Sequence, residues 1–186
     1  MAKKRVDLTK LRSESVNEAF SALYNTYVDE LFAFGLHMGV NRALIRDAIH
    51  DVFLALLTKN RTLDNINDIE SYLFRSLNNR IIDLWRSRTD NVSVEVLNTV
   101  SVDTSHIERF DDAEIAKNVA SCLNSILQRL SYNQRSAIYL RFMCEMKYAK
   151  IATILNCTDH AARKFVSKGL ANMRKYQIEL GQWKNK

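Results

Sequence analysis

Apolar residues at Val16, Phe20, Leu23, Tyr24, Tyr27, Leu31, Phe34 and Met38 recur at steps of three and four, which is one face of a long helix. A second such face runs Leu44, Ile45, Ala48, Ile49, Val52, Phe53, Leu56 and Leu57. A third runs Ile69, Tyr72, Leu73, Leu77, Ile81, Leu84 and Trp85. Between the second and third lies Thr58 to Asp68, rich in Asn, Asp and Thr, which reads as a loop. Asp68 is placed to cap the helix that follows, because its carboxylate can accept from free backbone N–H groups. Three amphipathic helices of this length bury one core, and the first domain is expected over residues 14–88.

The pattern breaks at residues 89–112. Apolar and polar residues alternate in short steps there, no helical face is sustained, and the segment reads as an extended linker; a two-stranded hairpin is the alternative. Helical spacing resumes at Ile115, Val119, Cys122, Leu123, Ile126, Leu127 and Leu130. Further helices are expected at about 133–143, 148–155 and 159–175, giving a second domain over 113–180. No internal repeat and no low-complexity tract is present.

Composition sharpens this to an all-α fold of two small helical domains joined by a flexible linker. The 186 residues include no proline and four glycines, so the punctuation of strands and tight turns is scarce. No apolar run approaches the ~20 residues of a membrane-spanning helix, and membrane insertion is not expected. The basic start (Lys3, Lys4, Arg5, Lys10, Arg12) lacks the apolar segment of a secretory signal. Three cysteines without CxxC spacing suit reduced thiols in core positions and a cytoplasmic setting.

Charge is unevenly distributed. Residues 20–88 carry eight basic and eight acidic side chains, and residues 89–112 carry one basic and six acidic. Residues 147–175 carry seven basic and one acidic. That last density suits a phosphate-binding surface, although a merely solvated helix face would look similar.

Within the basic block, KYAKIATILNCTDHAARKFVSKGL has the shape of a helix-turn-helix. Ala152 is small where two helices must approach. Asn156 stands where the chain must turn, and asparagine tolerates the left-handed backbone conformation. Thr158 offers a capping hydroxyl. On the second helix, Ala162, Phe165, Val166, Gly169, Leu170 and Met173 are expected inside, and Arg163, Lys164, Ser167 and Lys168 outside. Such a helix can lie in the major groove of DNA; an ordinary helical hairpin with a basic face is the alternative.

Residues 130–174 resemble region 4 of RNA polymerase sigma factors. The family pattern runs leucine-proline, an arginine, a leucine-arginine pair, glu-ile-ala, gly-x-ser and thr-val-lys. Here stand Leu130, Arg135, Leu140–Arg141, Lys150–Ile151–Ala152, Asn156-Cys-Thr158 and Ala161–Ala162–Arg163. Residues 20–88 resemble region 2. Its start matches FSALYNTYVDELF, its polymerase-binding helix matches DAIHDVFLALL, and its promoter-melting helix matches SYLFRSLNNRIIDLWRSR. Two blocks in the right order, with no sequence for an intervening region 3, resemble the extracytoplasmic-function group.

The resemblance implies partners and site residues. Asp47, Asp51, Val52 and Phe53 would dock on the coiled coil of the largest subunit of core RNA polymerase, and region 4 would sit by the flap. Arg75, Asn78, Asn79, Arg80, Asp83 and Arg86 would capture the −10 element of promoter DNA, with Tyr72, Phe74 and Trp85 as candidate base-stacking rings. His160, Ala161, Arg163, Lys164, Ser167 and Lys168 would meet the −35 element. The linker would run through the RNA channel, and an anti-sigma factor is implied as a further partner.

Departures from the pattern include His50 where glutamine is common, Ser131 for the proline, and Ala161–Ala162 for thr-val. The last of these favours weak autonomous reading by region 4. The competing readings are a helix-turn-helix regulator that acts without polymerase, and a sigma-like protein placed on DNA by a partner. No catalytic residues, metal site or cofactor are expected, since His37, His50, His106 and His160 have no ligand spacing and no glycine-rich phosphate loop is present.

Overall fold

The computed structural model describes residues 16–58, 66–88, 126–127 and 129–183. The expected linker, most of the helix beginning near Ile115 and the tip of the 58–68 loop lie outside the described residues. Six helices are described: α1 (Val16–His37), α2 (Arg42–Thr58), α3 (Ile69–Arg88), α4 (Tyr132–Phe142), α5 (Tyr148–Leu155) and α6 (Asp159–Trp183). No strand occurs among the described residues.

The first three helices bury the faces their periodicity announces. Leu23, Leu31, Phe34, Ile45, Ile49, Phe53, Leu73, Leu77 and Ile81 are all 2% exposed or less. Each such side chain contributes about 1.5–3 kcal/mol relative to exposure. Glycine lets α1 and α2 approach: a Cβ at Gly35 would stand 2.9 Å from Ile45 Cγ1 and Cγ2. Gly39 ends α1 with φ 78°, a left-handed position that costs glycine little. Asn41 then caps α2 by accepting from the Ala43 N–H at 2.8 Å.

Local chemistry also sets the other helix starts. Asp68 Oδ1 accepts from the Ser71 N–H at 3.1 Å, and Oδ2 from the Ser71 hydroxyl at 2.7 Å, so the expected cap on α3 is present. Ser131, at the family's proline position, is the N-cap of α4 in a reciprocal capping box with Gln134. The Ser131 hydroxyl accepts from the Gln134 N–H, and Gln134 Oε1 accepts in return from the Ser131 N–H; proline has neither the hydroxyl nor the N–H for this exchange. Asn156 ends α5 in the left-handed region (φ 51°, ψ 50°), and the Thr158 hydroxyl accepts from the Ala161 N–H at 3.1 Å. The helix-turn-helix is therefore built as its sequence announces.

The two groups of three helices also pack on each other, which the pattern of single helices did not reveal. Phe34 of α1 lies edge-on to Phe74 of α3 and tilted against Tyr139 of α4, each at 5.6 Å between centroids. The Ser136 hydroxyl lies 3.1 Å from Met38 Sδ. The buried residues of both groups form one cluster. Among the described residues no helix is long and apolar enough to cross a membrane.

Candidate nucleic-acid interface

Helix α2 divides the proposed docking residues into two kinds. Asp47 and Asp51 are exposed, whereas Val52 and Phe53 are 5% and 2% exposed and belong to the core. Phe53 packs edge-on against Phe20 and Tyr24 at 5.4 and 5.0 Å. Val52 and Phe53 thus shape α2 from behind and offer no side chain to a partner. Leu54, which the sequence reading passed over, is 44% exposed. With Asp47 and Asp51 it completes a stripe at i, i+4 and i+7, apolar at one end and acidic at the other. A helix of basic and apolar residues is its physical complement.

Helix α3 makes a similar division. Arg75, Asn79, Arg80, Asp83 and Arg86 are exposed, and Tyr72 and Trp85 are half-buried. Arg75, Asn79 and Asp83 follow one another at four-residue steps, so they form one ridge. Arg80 leaves that ridge and pairs with Asp51 of α2 at 2.7 Å, while Arg86 and Asp83 pair at 3.8 Å. Arg75 and Asn79 keep their polar groups unengaged among the described residues. Phe74 is fully buried and serves the core rather than a base stack.

Asn78 differs from the other polar −10 candidates. It is 3% exposed, and its Oδ1 accepts from the Tyr132 hydroxyl of α4 at 2.9 Å. In this arrangement it ties the two halves together and meets no base. Burial pushes the Tyr132 hydroxyl well above the usual phenol range, so it stays a donor. Beside it, Arg135 is buried with Nε and Nη2 unbonded, and burial pulls its guanidinium below its ordinary value.

A second tie involves Lys150 of α5, which stands where the family pattern has an acid. Its ammonium meets Asp68 Oδ1 at 3.0 Å and also bonds the Glu70 carboxylate. Burial alone would raise the Asp68 carboxyl. The Ser71 side-chain and backbone hydrogen bonds, with the bond and charge of Lys150, hold it below its ordinary value instead. A glutamate at position 150 would be repelled by both carboxylates. Sequence reading missed this cluster because its members lie 80 residues apart.

On α6, His160, Arg163, Lys164, Ser167 and Lys168 are exposed and Ala161 is half-buried. Ala162, Val166 and Gly169 face the core. The cationic face is continuous at 163–164 and 167–168, one turn apart, and fits a groove flanked by phosphates. Arg163 donates through Nε to Asp159 Oδ2 at 2.7 Å, and its Cζ lies 4.5 Å from the Tyr148 ring centroid.

Known proteins share this organisation. Residues 23–90 match the family Sigma-70 region 2, and residues 120–173 match Sigma-70, region 4. The chain is 21% identical over 165 residues to the ECF RNA polymerase sigma factor SigX of Bacillus subtilis (strain 168), covering 87% of this chain and 84% of that one. The solved structure of CnrH in complex with the cytosolic domain of CnrY has a TM-score of 0.64 at 18% identity, covering 92% of this chain and 95% of that chain. The sigma factor RpoE in complex with the anti-sigma factor NepR from Bartonella quintana has a TM-score of 0.59 at 21% identity, covering 86% and 96%. With both conserved regions matched in order on an all-helical fold, this chain belongs to the RNA polymerase sigma factors, in the extracytoplasmic-function group.

Proposed function

We propose that the chain binds core RNA polymerase through the α2 stripe, directs it to promoters, and helps open the −10 region with the α3 ridge while α6 reads the −35 element. The observation that carries this reading is the coexistence in one chain of two separately built surfaces, an acidic-apolar docking stripe and a cationic helix-turn-helix. A regulator acting without polymerase needs the second and leaves the first unexplained. The chain performs no catalytic step of its own and works in the cytoplasm, where core polymerase and promoter DNA are.

Size requires that the chain open in order to act. The two promoter elements are centred about 25 base pairs apart, about 85 Å at 3.4 Å per pair. A compact chain of this length has a radius of gyration of about 16 Å, so the closed arrangement cannot touch both elements. The 24 residues of 89–112 can reach at most about 80 Å when extended, enough to let the halves part. The closed form is therefore the resting form, with Asn78 covered. SigX is named as a sigma factor and RpoE is seen with an anti-sigma factor; a protein of that kind is the partner expected to hold this chain closed.

The docking assignment is tested by mixing the chain with core polymerase and following co-elution in gel filtration. Asp47→Arg is the cleaner substitution, because Asp51→Arg would also break the Arg80 pair. Asp47→Arg should weaken binding at least tenfold, about 1.4 kcal/mol or more, by setting like charge against a basic partner. Undiminished binding would remove α2 as the docking element.

A further inference from the structure

The arginine at the start of the recognition helix is set in place before any DNA arrives. Arg163 has a side chain 59% exposed, and an arginine so placed ordinarily samples many rotamers. Here two contacts restrain it. Asp159, one turn earlier, accepts from Nε at 2.7 Å. Tyr148 lies under the guanidinium, with Cζ 4.5 Å from the ring centroid, close enough for a cation–π contact. Neither contact uses the Nη1 and Nη2 donors, and no described residue bonds them. That free fork is the part of arginine that matches O6 and N7 of guanine.

Tyr148 belongs to α5, the other helix of the motif, so the arginine is referenced to the whole helix-turn-helix rather than to its own helix alone. A second guanidinium steadies the ring: Arg141 Cζ is 5.0 Å from the same centroid, and Arg141 Nη1 donates to the Met146 carbonyl at 2.9 Å. Asp159 is the one acidic residue among the seven basic residues of 147–175. Beside DNA phosphates its charge is unfavourable. Helix capping does not require it, since Thr158 already bonds the Ala161 N–H. Its cost is offset if it orients Arg163.

The geometry points to Asp159 and Tyr148 as positioning residues that hold the Arg163 guanidinium for one guanine edge in the upstream promoter element. This rests on the sigma-factor reading and adds the source of selectivity to it. The weak thr-val replacement at Ala161–Ala162 leaves this prepared arginine as the principal reader. Lys164 and Lys168 lack such restraints and supply phosphate attraction without base choice.

The test uses the full chain bound to core polymerase, checked by co-elution, and a pool of promoter duplexes randomised in the upstream element. The parent holoenzyme should select guanine at one position, and Arg163→Ala should abolish that preference. Asp159→Ala and Tyr148→Leu should each reduce it about three- to tenfold at that position alone. Tyr148→Phe, which keeps the ring, should retain it. Affinity for the unselected pool should be unchanged or higher for Asp159→Ala, because an anionic group has gone. This opposition between affinity and selectivity distinguishes positioning from simple helix support. Three results would overturn the inference while leaving the sigma reading intact: a parent without guanine preference, unchanged selection in both variants, or a uniform loss at all positions with helical content preserved. Failure of the parent chain to bind core polymerase would remove both.

Discussion

Asn78 and Asn79 are neighbours in sequence with opposite situations, and they separate folding from promoter opening at the scale of one residue. Asn79 projects from the α3 ridge beside Arg75 with no partner among the described residues. Removing its amide should leave core binding unchanged and reduce strand opening, read as lower permanganate reactivity of thymines in the −10 region; equal reactivity would take Asn79 out of the site. Asn78 is buried and holds the Tyr132 hydroxyl at 2.9 Å. Asn78→Ala leaves that hydroxyl without its acceptor in the interior, which costs about 1–3 kcal/mol. Its thermal midpoint should fall, whereas that of Asn79→Ala should not. The same contrast runs through α2, where Asp47 faces solvent and Phe53 is enclosed.

Elements begin and end here through short-range chemistry, so their limits respond to single substitutions. Asn156 adopts φ 51° to end α5, and an alanine there meets the left-handed penalty of about 1–2 kcal/mol while glycine escapes it. Asn156→Ala should lower the denaturant midpoint and Asn156→Gly should not; equal effects would show that the side chain, and not the backbone angle, matters. Such features were legible in the sequence because they are local. Asp68, Asn156 and Thr158 act on groups within a few residues, and the apolar faces of α1 to α3 repeat at helical spacing. Surface and core members of a family signature were harder to separate. Val52 and Phe53 accompany Asp51 in that signature but point the other way. The Tyr132–Asn78 and Lys150–Asp68–Glu70 ties were illegible, because partners 54 and 80 residues apart meet only when whole helices pack.

At the scale of the whole molecule, the proposed function sets the closed arrangement against a promoter-binding one. Lys150 between Asp68 and Glu70 is the electrostatic part of closure, and its side chain is 21% exposed. Lys150→Glu replaces attraction by repulsion and should destabilise closure by about 1–3 kcal/mol, less than a fully buried pair would cost. Small-angle scattering should show a larger radius of gyration, and an unchanged radius would show that apolar contacts alone close the chain. Acid acts in the same direction. Because the Asp68 carboxyl is held below its ordinary value, its stabilising contribution is complete above the ordinary range near about 4 and is lost as pH falls through its lowered value. The Asp68 contribution to closure should therefore be unchanged between about pH 5 and 7 and weaken only below about 4. The central claim concerns what the opened molecule does with polymerase. Its most direct test is transcription by purified core RNA polymerase on fragmented genomic DNA, with and without the chain, with 5′ ends mapped by sequencing. The account predicts that adding the chain creates a discrete set of start sites sharing −10 and −35 elements, and that Asp47→Arg abolishes that set. Start sites identical with and without the chain would contradict it.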